Sequence, residues 1–138
     1  MGSINPLLDY LFCITLLHIQ LMKIIREGHR FNLENFEDKV MPGQIIQFIE
    51  KVPYTEELKD ILNLPEDKYK DGDLITIFDG TTNEELLEVL INRINYLQDK
   101  FPCRENACAI TKLDEALMWL EKRTNDRKKR NVEGKYLK

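Results

Sequence analysis

Residues 107–123, "ACAITKLDEALMWLEKR", form the stretch that decides the fold. Strong helix formers dominate this stretch and neither Gly nor Pro interrupts it, so the pattern predicts an α-helix. Its apolar side chains recur at helical spacing and share one face. The residues of this face are Ala109, Ile110, Leu113, Ala116, Leu117 and Leu120. Trp119, the only tryptophan of the chain, lies about 120° away from the centre of the face, among charged neighbours.

A second amphipathic helix precedes this one. It begins at Thr82, which forms a capping-box signature with Glu85. The apolar residues of its predicted face are Leu86, Leu87, Leu90, Ile94, Leu97 and Phe101. Pro102 ends this helix and starts the next, which runs from about Cys103 to Arg130. Because the link is so short, residues 81–138 are predicted to form an antiparallel helical hairpin with a basic tail.

Residues 29–80 change to short β-segments separated by turn signals. The segments "HRFNLENF" (29–36), "QIIQFIEKV" (44–52) and "LITIFDG" (74–80) each predict a strand. Between the second and the third, "TEELKDILNL" (55–64) predicts a short helix. The fold class is therefore α+β, mostly helical, with a small β region followed by the C-terminal antiparallel helical hairpin.

Residues 1–28 open the chain with its most apolar stretch, which predicts an N-terminal apolar helix. Asp9, His18 and Lys23 interrupt the stretch, whereas a membrane-spanning helix needs about 20 largely uncharged residues. A buried or self-associating amphipathic helix is therefore favoured over a membrane anchor. Met22 opens a more polar sequence, so a further interpretation stays open, in which residues 1–21 are an upstream extension with little role.

Charge is divided unevenly along the chain. The net charge is −4; residues 122–138 hold eight Lys and Arg against two acidic residues, a net of +6, so residues 1–121 carry −10. A basic end can attract phosphate groups, or it can be a solvated helix end favoured by the helix dipole. Duplex nucleic acid is not expected as a partner, because the acidic body would repel its phosphate backbone.

Residue patterns typical of catalytic or metal sites are absent from the sequence. It contains no Gly-rich loop, no CxxC or HxxxH motif, and a single serine, Ser3. Adjacent carboxylates in the predicted helices point apart, as solvated residues do. We therefore expect no enzymatic activity, no metal and no cofactor. The three cysteines, Cys13, Cys103 and Cys108, have no zinc spacing and are expected to be buried thiols.

The C-terminal sequence resembles the helical-hairpin domain of phage-encoded sponge proteins, which counter the CBASS and Thoeris bacterial defence systems by sequestering their nucleotide signals. The matching elements are Arg104-Glu105, Ala109-Ile110-Thr111-Lys112-Leu113, Glu115-Ala116 and Met118-Trp119. The segments "DGTTNEELLEVLINRI" (79–94) and "RNVEGKY" (130–136) are also similar to a class of small uncharacterised phage proteins that carry this hairpin. The resemblance covers residues 82–130 and does not extend to the first 80 residues.

The resemblance implies a homo-oligomer in the cytoplasm of the infected host, without membrane association. Pockets between its protomers would bind a cyclic di- or trinucleotide or a cyclic ADP-ribose isomer. The candidate ligand-binding residues are Arg104, Asn106, Thr111, Lys112, Trp119, Arg123 and Arg127. Arg offers a planar fork to phosphate, and both Arg and Trp stack on purines.

Two other interpretations of the same residues stay open. In one, Trp119 covers the chain's own β region while Lys112 and Arg123 form ion pairs along their helix. In the other, the hairpin only drives oligomerisation, and the protein is a structural or protein-interaction module without a nucleotide ligand.

Overall fold

The computed structural model describes residues 22–65 and 68–137. The chain divides into two compact units between Gln47 and Phe48. Within the described ranges, the first unit contains a three-stranded sheet, and the second contains a two-stranded sheet and three helices. Small antiparallel sheets thus precede a long helical hairpin, which confirms the predicted fold class.

The first unit is an antiparallel sheet of β1 (Met22–Arg26), β2 (Arg30–Leu33) and β3 (Gln44–Gln47), in that order. A tight turn joins β1 to β2, where the His29 amide donates to the Arg26 carbonyl oxygen at 3.1 Å. This turn requires a left-handed residue, and Gly28 supplies it at φ 72°.

Strand β1 corrects the prediction of an N-terminal helix over residues 1–28. Residues 22–26 are extended and pair with β2, so the helical prediction is wrong there. The apolar run has no periodicity that separates a helix from a strand, and the pairing partner of β1 decides between them. Residues 1–21 lie outside the described residues.

The second unit begins with a two-stranded antiparallel sheet of β4 (Glu50–Pro53) and β5 (Leu74–Phe78). Helix α1 (Glu56–Leu62) connects them; the Thr55 side chain caps its first turn by accepting from the Leu58 amide. Among the described residues, the buried apolar side chains are Tyr54 and Ile75, which both belong to this sheet region.

The prediction of one strand over residues 44–52 is wrong, because β3 and β4 belong to different sheets. The pairing changes from one sheet to the other at Phe48 and Ile49, which pair with Thr81, the residue just before the hairpin. Phe48 forms a parallel bridge with Thr81, and the Ile49 amide donates to the Thr81 carbonyl oxygen at 3.0 Å. A partner more than thirty residues away therefore sets where β4 begins.

The predicted hairpin is confirmed as α2 (Asn83–Lys100) and α3 (Arg104–Lys129), two antiparallel neighbours. Thr82 caps α2 by accepting from the Glu85 amide at 3.1 Å. The Glu85 carboxylate does not close the capping box back onto Thr82; it accepts from the Thr81 hydroxyl at 2.6 Å. The connection between the helices is fixed by the Cys103 amide, which donates to the Gln98 side chain at 3.0 Å.

The face along which α2 and α3 meet is narrower than the periodicity predicts. Leu90 and Phe101 were expected on the packed face of α2 but are 43% and 76% exposed, and Ala116 of α3 is exposed as well. Neither helix contains a buried residue. Two helices alone cannot enclose a wide apolar stripe, so these side chains stay at the edges of the contact.

The basic C-terminal segment folds back onto the small sheet of the second unit. The Leu74 amide donates to the Gly134 carbonyl oxygen, and the Tyr136 amide donates to the Gly72 carbonyl oxygen, both at 2.8 Å. Lys135 pairs with Asp73 in an antiparallel bridge between these two bonds. The predicted tail thus extends the sheet beyond β5.

Candidate functional site

The outer face of α3 presents the side chains that the sequence singles out. We name this surface the Trp119 stripe; it consists of Arg104, Cys108, Lys112, Glu115, Trp119 and Arg123, all of them exposed. Consecutive members are three or four residues apart along α3, which places them in one column on the helix surface. The stripe is therefore a continuous exposed surface that the hairpin contact leaves free.

Trp119 is 60% exposed and Met118 beside it is 53% exposed. The chain's own β region therefore does not bury the indole in this structure. The Lys122 ammonium lies 4.7 Å from the centroid of the indole ring. At an exposed site such a cation–π contact contributes about 0.5–1 kcal/mol, so it orients the indole without providing a hydrophobic anchor.

Lys112 lies about two helical turns before Trp119 in the same column and forms an ion pair with Glu115. The ammonium nitrogen and the carboxylate oxygen are 2.9 Å apart, as the (i, i+3) spacing predicts. The hydrogen bond to Glu115, followed by the attraction between the two charges, raises the pKa of Lys112 above its usual value. Lys112 therefore keeps its positive charge on a surface that solvent reaches freely, and the prediction of a helix ion pair is confirmed for this residue.

Arg104 and Arg123 lie at the two ends of the Trp119 stripe. Their guanidinium groups form no hydrogen bond or ion pair with the residues that the structure describes. The predicted ion pair of Arg123 is thus not seen. Arg104 is 15 residues from Trp119, about 22 Å along a helix axis, so a single small nucleotide cannot contact both on one copy of α3.

Thr111 and Asn106 are not members of the Trp119 stripe. The Thr111 hydroxyl donates to the carbonyl oxygen of Ala107 at 3.0 Å, which leaves its lone pairs able to accept. Asn106 is half-buried and falls on the side of α3 that meets α2. The structure therefore brings Thr111 to the edge of the Trp119 stripe and keeps Asn106 away from it.

Arg127 has a role that the sequence did not indicate. Its guanidinium donates to three backbone carbonyl oxygens, those of Val132 at 2.8 Å, Lys135 at 2.9 Å and Leu137 at 2.9 Å. These bonds hold the C-terminal segment that extends the β4–β5 sheet. Because its donors are engaged in the fold, Arg127 is not available as a phosphate ligand in this conformation.

The prediction that the cysteines are buried thiols is wrong for Cys103 and Cys108, because both thiols are free and exposed. Cys103 caps α3, and its sulfur accepts from the Asn106 amide at 3.4 Å. Cys108 lies within the Trp119 stripe. Cys13 lies outside the described residues.

A second aromatic residue, which the hairpin exposes next to basic side chains, was not singled out from the sequence. Tyr96 on α2 is 55% exposed and lies between two cations, with the Arg93 guanidinium 5.7 Å and the Lys100 ammonium 5.8 Å from its ring centroid. The spacing of these residues, three and four apart on a helix, could have revealed the cluster. Each helix of the hairpin therefore exposes an aromatic ring next to basic side chains.

The described residues contain neither a metal-binding cluster nor a helix that could span a membrane. Within residues 22–65 and 68–137, no cluster of three His, Cys, Asp or Glu is arranged to hold a metal ion. No helix in these ranges is long and apolar enough to cross a membrane.

Comparison with known proteins shows what the helical part is similar to. Residues 62–125, which include β5, α2 and most of α3, match the family model of the Acb2/Tad1 hairpin domain. The C-terminal hairpin is similar to the Acb2/Tad1 hairpin domain, over a match that covers less than half of the chain. The resemblance to the anti-CBASS and anti-Thoeris sponge family, drawn from the motifs of α3, is thereby confirmed.

The chain is also similar to a named phage protein. Over 60 residues the chain is 57% identical to "Thoeris anti-defense 1" of Bacillus phage SBSphiJ7. This match covers 43% of the chain and 42% of the phage protein, so the chain spans less than half the length of the relative it matches. The family-model match over residues 62–125 includes the whole Trp119 stripe.

Proposed function

We propose that this protein is a phage anti-defence sponge, which binds a nucleotide immune signal and holds it away from a host effector without altering it chemically. The observation that carries the proposal is the Trp119 stripe, an exposed row of aromatic and cationic side chains on a hairpin similar to the Acb2/Tad1 hairpin domain. The ligand would be a cyclic di- or trinucleotide or a cyclic ADP-ribose isomer, and the place of action the cytoplasm of the infected host.

The chemistry of the stripe supports an anionic ligand with planar bases. Lys112 and Arg123 supply positive charge on either side of Trp119, and the indole supplies a surface on which a base can stack. The hairpin offers no Gly-rich loop for phosphate, so affinity would depend on these cations and on stacking. Thr111 at the edge of the stripe can accept a hydrogen bond.

Exposed apolar side chains on the hairpin favour self-association, which the same proposal requires. Neither α2 nor α3 contains a buried residue, and large apolar side chains such as Met118, Trp119 and Val89 are more than half exposed. Exposed apolar surface of this kind marks protein interaction sites. The separation of Arg104 from Trp119 along α3 favours pockets in which two copies contribute different ends of the helix.

A sponge needs tight sites in sufficient number, because bound signal is in equilibrium with free signal. When protein sites exceed the signal and the dissociation constant lies below the effector's threshold, the free concentration falls below what the effector can detect. Catalysis is not required. The alternative, an oligomerising structural or interaction module without a ligand, would use the same exposed apolar side chains but would not require Lys112 or Arg123.

Binding and release test the proposal directly. Purified protein is incubated with cyclic di- and trinucleotides and cyclic ADP-ribose isomers, washed, and heat-denatured, and the released compound is identified by mass spectrometry. We expect one class to be retained and released with unchanged mass. Linearised product would contradict a non-enzymatic sponge, and no retention of any compound would favour the interaction module.

Two variants on α3 locate the site. Lys112→Ala should weaken binding about tenfold to a hundredfold, because a charge-assisted hydrogen bond to phosphate is lost. Lys128→Ala is the matched control, since Lys128 is the same residue type on the opposite side of α3 and pairs with Glu133. Thr111→Val should cost less than Lys112→Ala. Equal effects of Lys112→Ala and Lys128→Ala would place the ligand elsewhere.

A further inference from the structure

Residues 34–43, between β2 and β3, form a loop whose large apolar side chains are exposed to solvent. Phe36 is 83% exposed, Val40 94% and Met41 59%. Soluble proteins seldom group large apolar side chains on an exposed surface unless that surface meets another molecule. We call residues 34–43 the apolar loop. The proposed nucleotide site does not use this loop, so its exposed side chains call for a different role.

The apolar loop is held in one conformation by its own hydrogen bonds. The Asp38 carboxylate accepts from the amides of Val40 and Met41 at 3.0 and 3.2 Å. The Asn35 side chain donates to the carbonyl oxygens of Met41 and Pro42 at 3.3 and 3.1 Å. A loop that is ordered before it binds loses little conformational entropy on binding. The exposed apolar side chains are thus presented on a preformed surface.

The C-terminal segment, residues 131–137, presents a second group of exposed apolar side chains. Tyr136 is 72% exposed and Leu137 is 53% exposed. The backbone of this segment is fixed by the Tyr136 amide, which donates to Gly72, and by the Arg127 guanidinium. This surface is therefore preformed as well, and the proposed nucleotide site does not use it either.

The two surfaces carry opposite charge. The apolar loop contains three acidic residues and one basic residue, a net charge of −2. Residues 128–137 contain four basic residues and one acidic residue, a net charge of +3. Glu37 beside Phe36 and Lys135 beside Tyr136 are exposed, and their side chains have no hydrogen bond or ion pair within the described part of the chain. Complementary charges around apolar side chains orient a protein contact and make it specific.

We propose that the apolar loop of one copy docks on the C-terminal segment of a second copy. The apolar side chains of the loop pack against Tyr136 and Leu137 in this contact, and Glu37 faces Lys135. Both surfaces are exposed within one chain and complement each other in charge, so a second copy supplies what the loop requires. Because the two surfaces differ, copies joined in this way form a reciprocal pair or a ring. The contact does not depend on a nucleotide ligand.

Photo-cross-linking in the full chain, without added nucleotide, tests the proposal. A copy with benzoylphenylalanine in place of Phe36 is mixed with an unmodified copy made from heavy isotopes, irradiated, and digested after glutamate. We expect heavy fragments of residues 134–138 joined to position 36, a species that we call the heavy product. The matched control carries the probe at Ile61, which is 65% exposed and follows Asp60, and it should give about tenfold less heavy product.

The isotope label separates the outcomes. C-terminal fragments that are light only would mean that the loop meets the C-terminal segment of its own chain, and the proposal would be wrong. Heavy fragments from another part of the sequence, in place of residues 134–138, would assign the loop to a different surface and would also overturn it. Equal yields from positions 36 and 61, or no cross-link between copies, would have the same meaning.

An exchange of charges provides a second measurement. Glu37→Lys and Lys135→Glu each place like charges opposite one another, and each should lower the yield of heavy product about twofold to fivefold, as expected for an exposed ion pair. The variant with both substitutions restores an opposite pair and should recover the yield. If this double variant gives no more heavy product than the single variants, Glu37 and Lys135 do not face each other, and the proposal fails.

Discussion

Trp119 shows how one residue can report on assembly. In an isolated chain, Trp119→Ala would remove the contact with the Lys122 ammonium and little else, at a cost of about 0.5–1 kcal/mol. If a second copy covers the indole, the loss rises to about 3 kcal/mol or more. We expect the larger loss, together with a shift toward smaller species in sedimentation at micromolar concentration. Trp119→Phe keeps an aromatic ring, so its loss of stability should lie between zero and that of Trp119→Ala. The expectation would be contradicted if the parent protein is a monomer and Trp119→Ala has the same melting temperature as the parent.

Arg127 provides a second residue-scale prediction. Its guanidinium holds the C-terminal segment through three carbonyl oxygens, and hydrogen bonds to a charged group contribute about 1.5–3 kcal/mol each without being additive. Arg127→Ala should therefore lower the free energy of unfolding by about 2–3 kcal/mol and speed hydrogen exchange at the Leu74 and Tyr136 amides. Arg123→Ala is the matched control on the same helix and should leave exchange at these amides unchanged. Arg127→Lys should rescue little, because an ammonium cannot present the planar fork.

These residues also show how far the site could be predicted. The position of Trp119 and the ion pair of Lys112 follow from helical periodicity alone, and both are seen in the structure. Arg127 looked like one more basic ligand, since nothing in its local sequence reveals three carbonyl partners up to ten residues further along the chain. Cys103 looked like a buried thiol, because capping by a sulfur is rare enough that its position before Arg104 carried no signal.

Among the elements, the approach of β2 to the start of β3 depends on a glycine. A Cβ at Gly43 would collide with the backbone carbonyl of Leu33 and with the Asn32 side chain, so Gly43→Ala requires the strands to shift. We expect a loss of about 3 kcal/mol, measured as faster hydrogen exchange at β2 and β3 amides. Gly28→Ala is the comparison: its φ is positive but no atom lies within 4 Å of the added methyl, so it should cost about 1 kcal/mol. Equal losses for both variants would mean that the close contact relaxes without cost.

The β4–β5 sheet yields a prediction about alkaline pH. Tyr54 is buried beside Tyr69, and its hydroxyl donates to Glu56 at 2.9 Å. Burial, and then the hydrogen bond to Glu56, raise the pKa of Tyr54 above its usual value of 10.0. Protonated Tyr54 therefore stabilises the folded state in full at pH values below the pKa of Tyr54 in the unfolded chain. This contribution is lost as pH rises through the pKa of Tyr54 in the folded state. Denaturant titrations from pH 8 to 11 should therefore show a steeper alkaline loss for the parent than for Tyr54→Phe, and parallel curves would contradict this assignment.

The accuracy of the element predictions depends on where the deciding information lies. The hairpin is specified locally, by Thr82, Pro102 and two amphipathic repeats, and its helices end within a residue of the predicted positions. The sheets are specified by distant pairings. Residues 22–26 and the break at Phe48 were predicted wrongly, because β2 and Thr81 decide these positions and neither is visible in a local pattern.

At the scale of the whole molecule, both units leave apolar surface exposed. Among the described residues only Tyr54, Ile75 and Glu50 are buried, whereas Met118, Trp119 and many other large apolar side chains are exposed. Domains of this size normally bury most of the apolar surface that their core contains. The stability of the protein is therefore expected to depend on its concentration, as it does for oligomers whose folding and assembly are linked.

Ligand binding and assembly should consequently be linked. If the pocket combines Arg104 from one copy with Trp119 from another, ligand binds the assembled form and stabilises it by about 2.7 kcal/mol at a concentration of 100 times the dissociation constant. Sedimentation of dilute protein should then shift from smaller species to the oligomer when the retained nucleotide is added, and the melting temperature should rise with it. Arg104→Ala should weaken both effects without changing the melting temperature of the free protein, because Arg104 has no partner among the described residues. Binding without any change in the distribution of masses would instead place the whole site on one copy of the hairpin.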